Sequence, residues 1–142
     1  MSNCEGEPSF SLPVRVYYED TDSGRVVYYA NYLKFMERAR TEWLRSLGFE
    51  QDALREHDGV IFAVRRAEID YHKPAVFNDL LTVTTDLSGS GRASLDFEHR
   101  LVRAADGTLC CTGLVKVACL NETTLRPQRI PDKLLAEIAN VL

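Results

Sequence analysis

Two carboxylates one residue apart, Asp20 and Asp22, lie in Asp20-Thr-Asp-Ser-Gly24, the stretch of this chain richest in groups able to do chemistry. Such a pair can hold a cation, form a covalent intermediate, serve as acid and base, or hydrogen-bond a turn. An EF-hand loop begun at Asp20 fails. Its fifth and sixth positions are Gly24 and Arg25, and its twelfth is Asn31 instead of the bidentate Glu. The Asp-x-Asp nucleophile of haloacid-dehalogenase-type phosphatases also fails, because Gly24 replaces the usual Thr or Val and no parallel α/β pattern follows. Turn or cap formation by the two aspartates stays open beside a catalytic role.

The remaining candidates are fewer. His57 falls in a polar helical segment and reads as solvated. His72, on the polar side of a strand, reads as a surface or interface residue. His99 shares a face with Leu95 and Phe97 and reads as a satisfied, partly buried histidine. Of the four cysteines, Cys110 and Cys111 are adjacent in a strand-like stretch and point to opposite faces. No Cys-x-x-Cys or Cys/His metal spacing occurs, so free thiols are expected, with neither disulfide nor metal.

The elements that must position these groups follow from periodicity. Pro13 to Tyr18 alternates apolar and polar as a first strand, and Glu19 to Gly24 is a turn. From Tyr32, the positions Met36, Ala39, Trp43 and Leu47 trace one face of a long helix, widened by Phe35 and Leu44. Asn31 is its expected N-cap and Gly48 its stop, with Arg38, Glu42 and Arg45 on the wetted side. A polar helical segment covers Glu50 to Asp58. Strand patterns follow over Gly59–Lys73, Leu80–Leu87, Ala93–Ala104 and Thr108–Leu120. They are joined by Pro74, Ser88-Gly-Ser-Gly91 and Asp106-Gly107. A short amphipathic helix ends the chain. Strands in sequence with tight connections form an antiparallel sheet, so a Rossmann fold is excluded. The expected architecture is α+β, a curved sheet of about five strands around one enclosed helix.

The run Val14-Arg-Val-Tyr-Tyr-Glu-Asp-Thr-Asp-Ser-Gly-Arg-Val-Val-Tyr-Tyr-Ala-Asn-Tyr-Leu-Lys-Phe-Met-Glu-Arg-Ala-Arg-Thr-Glu42, with Tyr71-His-Lys-Pro-Ala75 and Asn78-Asp-Leu80, resembles the hotdog-fold acyl-CoA thioesterases. Within these it is similar to the Tol-Pal-associated branch, related to the hydroxybenzoyl-CoA thioesterases. The resemblance implies that Asp22 is the catalytic carboxylate, as nucleophile on the thioester carbonyl or as general base for water. It implies an oxyanion donor in the backbone N–H of Tyr29. Arg92, with Ser94 nearby, maps onto the position that holds the coenzyme A phosphate, a solvated turn arginine being the alternative. Many Tol-Pal-branch members carry His where this chain has Tyr29, and many members carry Gly where it has Arg25. The resemblance implies no cofactor, and a homo-oligomer, a dimer at least and a tetramer by family habit. A non-catalytic module binding acyl-CoA or an acyl carrier protein would use the same fold, and it would have no need of a carboxylate at Asp22.

Composition sets the outer bounds. The 142 residues are 45% hydrophobic and 27% charged, of single-domain length (1–142), with residues 1–12 expected as a flexible tail. A net charge of -4 argues against a general nucleic-acid binder, although Arg65-Arg66 could meet a phosphorylated ligand. Neither a secretory leader nor an apolar run of bilayer length is present, so a cytoplasmic location without membrane insertion is expected.

Overall fold

The computed structural model describes residues 10–141. Five antiparallel strands form one sheet in the order β1-β3-β4-β5-β2, where β1 is Phe10–Arg15, β2 Val60–Tyr71, β3 Leu80–Ser90, β4 Ser94–Arg103 and β5 Leu109–Asn121. Helix α1 (Asn31–Ser46) lies against one face, α2 (Gln51–Asp58) leads into β2, and α3 (Asp132–Val141) closes the described chain. The α+β architecture expected from the strand pattern is the one observed.

Alternation explains which face α1 covers. Leu81, Val83, Thr85 and Leu87 of β3 are buried, as are Leu95, Phe97, His99 and Leu101 of β4. From the helix, Phe35, Met36, Ala39 and Trp43 are buried in the same core. Trp43 meets Phe97 edge to face at 5.0 Å between ring centroids, a geometry that adds to simple area burial. At Gly113 the helix sits close to the sheet. A Cβ there would lie 2.7 Å from the Met36 thioether, so any side chain would push Met36 out of its place.

Several boundaries differ from the sequence expectation, each for a local reason. β1 begins at Phe10, because Phe10 to Leu12 pair with Val83 to Thr85. Expected tail residues 10–12 are thus strand, and residues 1–9 lie outside the described range. Ser88 to Ser90 continue β3 past a bulge between Leu87 and Gly89 and are not turn. Asn31 is the first residue of α1, with Ala30 at the cap. Its buried side chain donates to the Asp20 carbonyl at 3.1 Å. Gly48 and Gly59, with φ of 93° and 69°, end α1 and α2 as expected of left-handed stops.

Candidate active site

The stretch holding both aspartates folds into a small hairpin. Asp22 N–H donates to the Val26 carbonyl at 3.0 Å and Tyr28 N–H to the Asp20 carbonyl at 2.9 Å, with Thr21 bridged to Val27. A tight turn joins the arms, closed by Arg25 N–H on the Asp22 carbonyl at 3.0 Å. Arg25 adopts φ of 70°, the left-handed conformation that suits glycine and strains a side chain with a Cβ. Gly24 crowds Asp22 less than another residue would. Its N–H donates to Asp22 Oδ1 at 2.8 Å, and a Cβ on it would stand 3.2 Å from that oxygen.

The two aspartates have separate fates. Asp20 is buried, and its Oδ2 accepts the Tyr17 N–H at 2.8 Å, so it belongs to the turn. Asp22 is exposed. Its Oδ1 is held by Gly24, and no described residue donates to its Oδ2. Asp22 lines a shallow cleft of about 410 Å³ with Tyr28, Asn31, Lys34 and Arg38. One carboxylate is thus structural and the other is available.

The segment from hairpin to helix fixes the second candidate group. Asn31 N–H donates to the Tyr28 carbonyl at 2.8 Å. Because a trans peptide is planar, that bond turns the Tyr29 N–H the opposite way, where no described residue accepts it. Such an unfilled donor just before a helix is favourably placed for an anion. The Tyr29 carbonyl in turn accepts the Tyr71 hydroxyl at 3.2 Å. Tyr29, Tyr32, Tyr71 and His72 line a second hollow of about 260 Å³, adjacent through Tyr28 and Tyr29 to the Asp22 cleft. The neighbouring Tyr29 phenol is the main cause that raises the Tyr28 pKa, and the Asp22 carboxylate adds a smaller push.

A loop after β2 braces this arrangement. Val27 N–H donates to the Ala75 carbonyl at 2.8 Å, Asn78 N–H to Val16 at 2.9 Å, and Val16 N–H to Asp79 at 2.8 Å. Arg103 holds the loop from behind, with Nε 3.1 Å from Asp79 Oδ2 and an Nη donating to the Pro74 carbonyl at 2.9 Å. Tyr71, Asp79 and Arg103 carried no role in the sequence reading. Tyr71 and Asp79 fall in the quoted motifs, whereas Arg103 showed no signal there.

Arg92 and Ser94 lie elsewhere. They flank the β3–β4 connection, where Arg92 is exposed and its carbonyl accepts the Ile130 N–H at 2.8 Å. The Asp22 hairpin docks on the loop at 75–79, which leads into the Leu80 end of β3, and a strand of that length spans roughly 35 Å. Within one chain, Asp22 and Arg92 therefore do not share a site. His57 is exposed as expected. His72 is also exposed, with Nε2 3.1 Å from Thr112 Oγ1, yet it lines the Tyr29 hollow. His99 is fully buried, deeper than expected, and Arg40 donates to its Nε2 at 3.1 Å. Cys110, Cys111 and Cys119 are free and buried, and burial pushes the Cys111 thiol up to about 12. Among the described residues no cluster of three or more metal-ligating side chains occurs, and no helix is long and apolar enough to cross a membrane.

Comparison with known proteins gives this geometry a context. A profile of the thioesterase-like superfamily matches residues 16–138. An acyl-CoA thioesterase YbgC of Haemophilus influenzae is 46% identical over 127 residues, 89% of this chain and 92% of that protein. A Bartonella henselae structure described as a probable thioesterase superposes with a TM-score of 0.80 at 35% identity, covering 85% of this chain and 98% of that one. A Staphylococcus aureus protein solved in complex with CoA shares the fold, with a TM-score of 0.86 at 23% identity over 93% of this chain and 82% of that one.

Proposed function

The chain belongs to the thioesterase-like superfamily and is a thioester hydrolase of the hotdog fold, and from that premise we propose that it cleaves a short- or medium-chain or aromatic acyl-CoA, with Asp22 as its catalytic carboxylate. The observation that carries the assignment is the contrast between the aspartates: Asp20 is spent on the turn, while no described residue donates to Asp22 Oδ2, and the Tyr29 N–H at the head of α1 has no described acceptor. The carboxylate attacks the thioester carbonyl or takes a proton from water that does so. The Tyr29 N–H receives the charge that develops on the carbonyl oxygen. No imidazole is required, and Tyr29 supplies none.

The coenzyme A end is assigned to Arg92 and Ser94. Because one chain keeps them far from Asp22, the site is completed by a second copy, so the active form is a homo-oligomer, a tetramer in this proposal. The exposed edge of β2, with both faces largely solvated over Arg65 to Glu68, supports association. The length and specificity of the Val14–Glu42 signature support placement in the Tol-Pal-associated, cytoplasmic branch, with an acyl carrier protein as a second donor of the acyl group.

Free-thiol release from a panel of straight-chain and aromatic acyl-CoA thioesters tests the function. Turnover of at least one class, lost in Asp22→Asn, is the expected result. Tight acyl-CoA binding without cleavage by wild-type protein would replace it with a non-catalytic binding module.

A further inference from the structure

Arg40 is the one arginine of α1 turned toward the core, and it is only half exposed. Its described hydrogen bond is the one it donates to His99, whose other ring nitrogen, Nδ1, lies 3.1 Å from the Thr84 carbonyl and 3.3 Å from Thr85 Oγ1. The Nδ1–H donor to a carbonyl leaves Nε2 as an acceptor, so His99 is neutral and offsets none of the guanidinium charge. No carboxylate of the described residues comes within 4 Å of Arg40. Glu37, one turn earlier, attracts it only from a distance. A partly desolvated cation without a counter-charge is costly, and a bound anion would relieve that cost.

The surroundings say what kind of anion. Arg40 lines a cavity of about 200 Å³ walled by Trp43, Leu44, Phe62, Leu95 and Phe97. That is smaller than the ~300–1,000 Å³ of drug-sized sites, and apolar apart from Arg40 and the rim residues Glu37 and Gln51. We propose that this cavity is a binding site for a small amphiphilic monocarboxylate, its apolar body against Trp43 and Phe97 and its carboxylate on the Arg40 guanidinium. A planar guanidinium matches a carboxylate with two parallel hydrogen bonds, which a neutral ligand of the same shape cannot repay. His99 acts as the positioning residue, fixing the guanidinium plane through Nε2. Arg40 lies in the half of α1 farther from Asp22, about two and a half turns from the helix start, so within one chain the site is separate from the proposed catalytic carboxylate.

Trp43 is the only tryptophan of the chain and reports on its own cavity. Titration of the wild-type protein with octanoate, followed by tryptophan fluorescence, should give a saturable change, and octanamide should bind at least tenfold more weakly. Arg40→Met should abolish that difference, and Glu37→Gln should tighten octanoate binding by removing the competing charge. No thioester is used, so failure of the hydrolase assignment would leave the result intact. Equal response to octanoate and octanamide, or no saturable response to octanoate or benzoate at millimolar concentration, would overturn the proposal. If Arg40→Met does not fold, as judged by circular dichroism, the wild-type comparison of acid and amide decides alone.

Discussion

The Tyr71 hydroxyl, at the end of β2, donates to the Tyr29 carbonyl 42 residues earlier in the chain, at 3.2 Å. This ties the peptide just past the proposed oxyanion donor to the sheet. Tyr71→Phe keeps the ring packing against Tyr32 and Tyr29 but removes the tether. One exposed neutral hydrogen bond is worth about 1 kcal/mol, so stability should fall by about that amount at most, and kcat of the folded enzyme should fall several-fold if the tether also holds the oxyanion peptide in place. A thermal melt beside steady-state kinetics separates the two effects.

Asp22→Asn removes the charge while preserving the acceptor for Gly24. Acyl-CoA turnover should drop at least about 100-fold, the low end for losing a general base. Asp20→Asn should act on the other axis. It weakens the buried contact to the Tyr17 N–H, lowering stability by about 1 kcal/mol with turnover of the folded fraction little changed. Denaturant unfolding and kinetics on both variants check the division of labour.

Arg92→Ala should raise KM for acyl-CoA up to about fivefold and leave kcat nearly unaltered, since the phosphate is remote from the thioester. An unchanged KM would return Arg92 to the role of a solvated turn residue.

His99 predicts a pH dependence. Burial first, then the Arg40 charge, lowers its pKa from the ordinary 6.5 to about 4. Between those values the unfolded chain binds a proton that the native state refuses, so stability falls as pH is lowered through this window. The full effect is of order 3 kcal/mol, with about 2 kcal/mol lost by pH 5. His99→Gln, which does not titrate, should lose less stability than wild type between pH 7 and pH 5 in urea unfolding at each pH.

Arg25→Gly should relieve the left-handed strain at the hairpin turn. A non-glycine residue there costs about 1–2 kcal/mol, partly offset by the greater freedom of glycine when unfolded, so a gain of up to about 1 kcal/mol is expected. Chemical denaturation midpoints measure it.

Much of this was legible in the residues themselves. The helix stripe from Tyr32 to Leu47 and the alternation in β3, β4 and β5 gave the elements within a few residues, because burial on one face imposes the period. The Asp20–Gly24 stretch stood out, yet its spacing could not say which carboxylate was structural. That depended on Tyr17 and Gly24 N–H groups whose directions exist only in the folded hairpin. Arg103 was invisible for a related reason: its partners Pro74 and Asp79 lie over twenty residues away. Arg40 drew no reading from the helix pattern, because its partner His99 lies 59 residues away on the sheet.

The backbone bonds between the Val16–Val27 segment and the loop at 75–79 run in both directions: Val16 to Asp79, Asn78 to Val16, Val27 to Ala75. Neither segment can lift away without breaking the bonds of the other. The two loops therefore form one cooperative unit of local unfolding, so that amide protons of Val16, Val27 and Asn78 exchange with solvent together. Substrate entry that needs the Asp22 hairpin to breathe would draw on the whole unit at once, with the Arg103–Asp79 pair among the contacts that opening must break.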